Sequence, residues 1–293
     1  MSLKPMKKLA EELESAFSQV VCAICGIDKL FTAIGRRMRT IPVFAVVGIL
    51  TSTVSAAPLI DVDLGVGAWA PGISGHINAS NNQEVDLDKD LGLEADKGLY
   101  LYAEVDHPIF FLPDFKVRYQ SLVANGSGTV NVTTEYAGVT LNKDEKIDTK
   151  FDLSYTDFIL NYELPVPSVD VDLGANFRWV DGKFTANDES GDVSIVLPMA
   201  HLAAELQLDS ISLALGGEYN FLPLGDGSSV SDYNLYAKYY LPLPGSFIGR
   251  LGVELGYHDF SMDVGDEVFG ADTAKYASNV TAKGIYMGLA ASF

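Results

Sequence analysis

The sequence predicts an all-β fold: a ten-stranded antiparallel transmembrane β-barrel of the up-and-down type, preceded by an export segment. Three observations predict it. Apolar residues recur with a period of two from Leu59 onward, the connectors between these runs alternate long and short, and a secretory pattern sits upstream. A chain of 293 residues holds one large domain or two ordinary ones. Its 48% hydrophobic and 20% charged content is that of a folded chain and excludes wholesale disorder.

The export segment comes first. Arg36, Arg37 and Arg39 form a positive region, and an apolar run follows from Ile41 to Leu50. Val54-Ser55-Ala56 then supplies small residues ahead of a cut before Ala57. A membrane helix takes about 18 apolar residues, so this run reads as a signal and not a span. Residues 1–37 are expected to be a leader ahead of a natural start at Met38, residues 38–56 the signal, and residues 57–293 the barrel. The only cysteines, Cys22 and Cys25, fall in the leader, without the strand–helix context that a redox CxxC needs. Removing residues 1–56 takes seven bases and four acids, so a net charge of −19 becomes −22, with 13 bases against 35 acids. Such a chain repels phosphate, which argues against nucleic acid as a partner. Export of an acidic, cysteine-free chain points to the Gram-negative envelope, with the outer membrane as the expected location.

Ten segments alternate. In the first, Val62, Leu64, Val66 and Ala68 oppose Asp61, Asp63, Gly65, Gly67 and Trp69. Leu101, Ala103 and Val105 oppose Tyr100, Tyr102 and Glu104, while Phe115, Val117 and Tyr119 oppose Lys116, Arg118 and Gln120. Phe158 to Leu164 and Val169 to Trp179 follow, with Asp157, Glu163, Asp170, Asp172 and Arg178 on the second face. In the later segments that face carries His201, Glu205, Glu218, Asn234, Tyr236, Lys238, Arg250, Glu254 and His258. The last segment, Ile285 to Phe293, sets Gly284, Tyr286 and Gly288 against its apolar track. Each is long enough to cross a bilayer when tilted.

The odd connectors, for instance Gly72 to Asp96, Gly126 to Lys150 and Asp263 to Asn279, are long and polar, and the even ones are short and often carry proline. That asymmetry is typical of outer-membrane barrels, whose long loops face out and short turns face the periplasm. A soluble β-sandwich or lipocalin-like barrel also alternates but needs no aromatics at strand ends. Here Trp69, Phe115, Tyr162, Trp179, Tyr219, Tyr239, Tyr257 and Phe293 are expected to form interfacial girdles.

The ending Gly284-Ile285-Tyr286-Met287-Gly288-Leu289-Ala290-Ala291-Ser292-Phe293 is similar to the last-strand signal read by barrel-assembly machinery, with Phe293 as its terminal aromatic. Ala103-Glu104-Val105-Asp106-His107-Pro108 with Leu112-Pro113-Asp114-Phe115-Lys116 resembles a family of uncharacterised proteobacterial outer-membrane barrels. So do Asp157 to Glu163 and Asp172 to Gly182. The resemblance spans Ala57 to Phe293. It carries over no activity. The barrel reading itself expects a monomer in a lipid bilayer with lipopolysaccharide.

Chemistry is hard to find. The omptin-like proteases share the strand number only, and no Asp–His segment matches theirs. His258 and Ser261 lie on opposite faces of one strand, which removes them as a local dyad. His107 lies in a proline turn on the expected periplasmic side, and His76 and His201 show no nucleophile–base–orienter constellation, so no catalytic residue is assigned and no enzyme is expected. Asp86-Leu87-Asp88-Lys89-Asp90 resembles the opening of a calcium loop, but Leu91 stands where glycine is required and Lys97 where the bidentate acid is required. No metal and no cofactor is assigned.

The inward face is more informative. It is expected to carry Asp61, Asp63, Glu104, Asp157, Glu163, Asp170, Asp172, Glu205, Glu218 and Glu254, with Lys116, Arg118, Arg178, Lys238 and Arg250 among them. Ten strands enclose a bore only slightly wider than the eight-stranded barrels that side chains fill. Cross-bore ion pairs would make a plug, and the barrel would then be structural or interaction-based. Unpaired acids would make a narrow channel for small cationic or neutral solutes. An outer-membrane hydrolase is the remaining alternative.

Overall fold

The computed structural model describes residues 60–78, 84–109, 111–225, 227–242, 249–265 and 278–293. The leader, the signal and the cut before Ala57 fall outside the described residues. In chain order the strands are β1 (Asp61–Asn78), β2 (Glu84–Asp86), β3 (Glu94–Ala95), β4 (Gly98–Asp106), β5 (Asp114–Gln120), β6 (Val123–Thr129), β7 (Thr134–Tyr136) and β8 (Val139–Leu141). They continue with β9 (Lys146–Asp152), β10 (Tyr155–Leu164), β11 (Asp170–Ala186), β12 (Glu189–Leu208), β13 (Leu213–Gly225), β14 (Ser228–Tyr240), β15 (Arg250–Val264) and β16 (Ser278–Ser292).

Ten of these, β1, β4, β5 and β10 to β16, close into an antiparallel barrel, with β16 pairing back onto β1. The register shows how it closes. Starting at Val62, successive partners are Val105, Phe115, Leu160, Ala175, Ala200, Phe221, Ser231, Ser261 and Thr281, and the path returns to β1 at Ser74. The return is displaced by twelve residues, from position 62 to position 74. A stagger of that size over ten strands tilts them by roughly 40° to the barrel axis.

Which face points out follows from the residues. On β15, Leu251, Val253 and Leu255 are exposed while Glu254 and His258 are buried. On β16, Ile285, Met287 and Leu289 are exposed and Tyr286 is buried. A sheet with apolar residues outward and charges inward is stable only where lipid replaces water outside. Aromatic residues mark both edges of this belt. Phe115, Tyr162, Tyr239 and Phe293 lie toward the short turns, and Tyr219, Tyr233 and Tyr257 toward the long loops. Tyr219 stacks on Phe221 with centroids 6.0 Å apart, and Tyr233 packs on Tyr257 at 6.1 Å. Trp69, expected in a girdle, points the other way. It is fully buried in the bore, its indole 4.8 Å from the His258 ring and its Nε1 donating to the Gly284 carbonyl. Its position on the track of Asp63, Gly65 and Gly67 fixes that direction by parity.

Toward the long loops the pattern inverts without a break in the strands. On β15 the outward track passes from Tyr257 to Asp259, Ser261 and Asp263, and the inward track from His258 to Phe260, Met262 and Val264. On β16, Val280 and Ala282 are buried while Lys283 is exposed, and on β11 the inward track passes from Arg178 to Val180 and Phe184. The upper barrel is therefore built like a water-soluble one, polar outside and apolar inside. Two of the connectors expected to be long polar loops fold onto it. β6 and β9 pair with each other, β9 also pairs with β11, β3 adds to β6, and β2 adds to β1. They bury Leu87, Leu91, Leu93, Ile147 and Phe151 against Phe184, with Tyr136 edge-on to both phenylalanines at 5.8 and 5.1 Å. The leucines of the first loop recur two or more residues apart between polar neighbours, and that spacing conceals a core. We call this part the head and the lipid-facing part the belt.

Candidate functional site in the bore

The bore at belt level is crossed by charge. Asp157 on β10 is register-paired to Arg118 on one side and Arg178 on the other, which sets Arg, Asp and Arg side by side on three neighbouring strands. Arg118 donates to Asp157 Oδ2 through Nε at 3.0 Å and Nη2 at 2.7 Å. Arg178 donates through Nε to Oδ1 at 2.7 Å and through Nη2 to Oδ2 at 2.9 Å. Planar guanidinium forks suit this shared carboxylate, and an ammonium would not reproduce it. Asp232 reaches in from β14 on the far wall. It accepts from Arg118 Nη2 at 3.1 Å, Arg178 Nη2 at 2.9 Å, Tyr155 Oη at 3.2 Å and Asn220 Nδ2 at 3.3 Å. His258 Nε2 lies 2.8 Å from the same carboxylate. The Arg178 guanidinium lies over the Tyr155 ring at 3.8 Å.

Arg118 also donates to Glu218 at 3.0 Å, and Glu218 holds Lys116, which in turn holds Glu104 at 3.0 Å. Lys238 pairs with Glu205 at 2.9 Å. Glu254 is held by two phenols, accepting from Tyr102 at 3.1 Å and from Tyr286 at 2.8 Å, while Tyr236 donates to Glu205 at 2.9 Å. Each of these three tyrosines is register-paired with a glycine, Gly65, Gly256 or Gly216, and lies across it. A Cβ on any of the three would sit 1.9 to 2.4 Å from the ring. The glycines give the rings room to lie flat along the wall and reach a carboxylate below.

The expected lumen residues thus divide. Lys116, Arg118, Asp157, Arg178 and Glu218 meet in one network with Glu104, while Glu205, Lys238 and Glu254 form satellites. Asp63 and Asp172 line the short-turn mouth, half-buried. Asp61, Glu163, Asp170 and Arg250 stand exposed at that rim, where the strands end and the wall no longer encloses them. Arg250 donates there to Gln207 at 3.1 Å and to Ser292 at 3.5 Å. Phe293 is tied by its backbone to Val62, donating at 3.0 Å and accepting at 3.2 Å. His201 lies 2.9 Å from Asn220 Oδ1, His107 accompanies Asp114, and His76 faces Glu84 on the outside of β1.

Asp232 and Tyr155 were missed by sequence reasoning. Each lies two residues before the first inward residue assigned to its segment, Asn234 and Asp157 respectively, and shares its parity, so extending the alternation backwards would have found both. An Asp–His pair therefore exists, formed by Asp232 and His258 across two strands and not within one segment. Both are enclosed in the clamp: Asp232 is 0% and His258 3% exposed.

The closed barrel, the lipid-facing belt and the charged bore define the class of protein: an outer-membrane β-barrel. No family model matches the chain, and no curated protein matches it. Among solved structures it is similar to the outer membrane protease OmpT of Escherichia coli, at 11% identity and a TM-score of 0.47, covering 83% of this chain and 99% of that one. It is also similar to the translocator domain of the autotransporter NalP of Neisseria meningitidis, at 10% identity and a TM-score of 0.39, over 90% and 96% of the chains. A FadL homologue of Pseudomonas aeruginosa matches at 10% identity and a TM-score of 0.23, over 80% and 90%. These are likenesses of barrel architecture.

Proposed function

We propose that this protein is a closed outer-membrane barrel of the structural or interaction type, whose belt anchors a folded head at the cell surface. One observation carries this reading. Arg118, Asp157, Arg178 and Asp232 bridge the bore at belt level with side chains 0 to 1% exposed, and the apolar core of the head lies directly above them. A water-filled path needs a continuous polar lining, and an apolar core over the clamp interrupts it. The long loops face outward and the short turns face the periplasm in this reading, with lipopolysaccharide around the belt, a cleaved signal at residues 38–56 and a single chain as the unit. The acidic outer face suits solubility and partner selection more than catalysis.

Planar-bilayer recording of the purified full chain tests it. The closed reading expects no stable conductance steps. Reproducible cation-selective steps would establish the narrow channel instead. Hydrolysis of lipid or peptide by the same preparation, lost in Asp232→Asn, would establish the enzyme reading.

A further inference from the structure

The apolar surface of the belt does not stop at the aromatic residues on its short-turn edge. The turn between β4 and β5 continues it. Ile109, Phe111 and Leu112 are exposed there, and Phe111, at 77%, is more exposed than any other large apolar residue among the described ones. No charged residue falls between Pro108 and Pro113. At the same end Tyr162 and Leu164 carry the outward track of β10 toward its own turn, where Val166 follows, all three exposed. The two stretches touch. Tyr162 Oη donates to the Phe111 carbonyl at 3.4 Å, which places Phe111 at the outer wall of β10. An apolar patch of this kind in water calls for a non-aqueous neighbour.

The backbone of the turn points the same way. A segment enters lipid only when its polar main-chain groups are satisfied from within. Pro108 and Pro113 have no N–H to satisfy. The His107 N–H donates to Asp114 Oδ1 at 2.8 Å and the Ile109 N–H to His107 Nδ1 at 3.3 Å. The Leu112 N–H donates to the Ile109 carbonyl at 3.0 Å, and the Phe111 carbonyl accepts from Tyr162. The β12–β13 turn at the same end is the contrast, with Asp209 and Ser210 both exposed in a short 3-10 turn.

We propose that the β4–β5 turn is a membrane anchor whose Ile109, Phe111 and Leu112 side chains lie among phospholipid chains just beneath the headgroups, fixing the depth at which the barrel sits. The occupant is lipid because the patch is continuous with a belt that already faces lipid. The inference rests on the orientation proposed above only for the identity of the leaflet: short turns toward the periplasm make it the inner leaflet of the outer membrane.

A bimane fluorophore attached through Phe111→Cys tests this, in the full chain carrying Cys22→Ser and Cys25→Ser and reconstituted into phosphatidylcholine vesicles. Phospholipids brominated near the top of the acyl chain should quench it several-fold more than the same label attached through Ser210→Cys. Iodide, supplied on both faces of the membrane, should quench it several-fold less. Both leaflets of these vesicles are alike, so the result is independent of which way the barrel faces, and orientation is read separately from tags on intact cells. Heat-modifiability on a gel confirms that each variant is folded, and Leu112→Cys replaces Phe111→Cys if the latter is not. Iodide quenching as strong at position 111 as at position 210, or brominated-lipid quenching no stronger, would overturn the proposal and leave the patch to a second copy or another protein.

Discussion

β15 passes through both regions of the molecule, and the two halves of this one strand obey opposite rules. From Leu251 to His258 the outward residues are apolar and the inward ones are glycine, glutamate and histidine. From Asp259 to Val264 the outward residues are aspartate and serine and the inward ones are phenylalanine, methionine and valine. The backbone ladder to β14 and β16 runs through the change unaltered. Hydrogen bonding is thus the same in both halves, and only the solvent differs. In the belt, lipid is the outer solvent, so the chain must close its interior with paired charge. In the head, water is outside and an ordinary apolar core fills the interior. The two halves should therefore fail in different ways.

The largest effect is expected at the clamp. Arg178→Ala removes two of the four hydrogen bonds to Asp157 and one of those to Asp232 in an enclosed space, a loss on the order of 3–5 kcal/mol for a broken buried pair. The heat-modifiability transition should fall steeply, while the β6–β9 hairpin on whole cells keeps its resistance to added protease. Loss of protease resistance together with the barrel transition would show that belt and head are one cooperative unit.

A matched pair of outward substitutions sharpens the contrast. Leu255→Arg places a charge on the lipid face and should cost about 2–4 kcal/mol near mid-belt. Asp263→Arg, on the same track of the same strand, should shift stability by no more than about 0.5 kcal/mol, as expected of an ordinary surface site. Equal costs, measured by denaturant unfolding in detergent, would remove the distinction.

The smallest effect belongs to the first loop. The Lys89 ammonium, with the backbone N–H groups of Lys89 and Asp88, holds the Asp86 carboxyl below the usual carboxylate range. A depressed carboxyl stabilises the folded turn above the ordinary aspartate range near pH 4, and that contribution fades as pH falls through the lowered value. Amide exchange at Leu87 and Leu91 should accordingly stay flat from neutral pH to about 5, after correction for intrinsic exchange, and opening should increase only in stronger acid. Asp86→Asn should abolish this acid dependence without unfolding the head.

Much of the belt was legible because period-two alternation and lipid exposure impose the same parity on every crossing strand. Leu251, Ile285 and Leu173 face out, and Arg118, Asp157 and Arg178 face in, by counting alone. The head was less legible for a physical reason. Where the outer solvent changes from lipid to water, parity is kept but the meaning of each face reverses. A reader following apolar residues therefore ends the strand at His258, leaves Asp259 to Met262 unassigned and starts the loop at Asp263. The same reversal hid the folded loops, whose leucines at 87, 91 and 93 are buried among aspartates. The contacts of the clamp were hidden differently. Register relates neighbours, as for Asp157 with Arg118 and Arg178, but Asp232 and His258 join them from across the bore, and no local pattern reports which far side chain will meet which.

The inversion itself is best tested by placing a nitroxide in turn at Leu251, Val253, Leu255, Tyr257, Asp259, Ser261 and Asp263 in the barrel reconstituted into bilayers. Collision with oxygen, which concentrates in lipid, and with a water-soluble nickel chelate is then compared along the track. Oxygen should dominate through Tyr257 and the chelate from Asp259 onward, a change within two residues on a continuous strand. Oxygen dominance persisting to Asp263 would place the whole strand in lipid and contradict the division into belt and head.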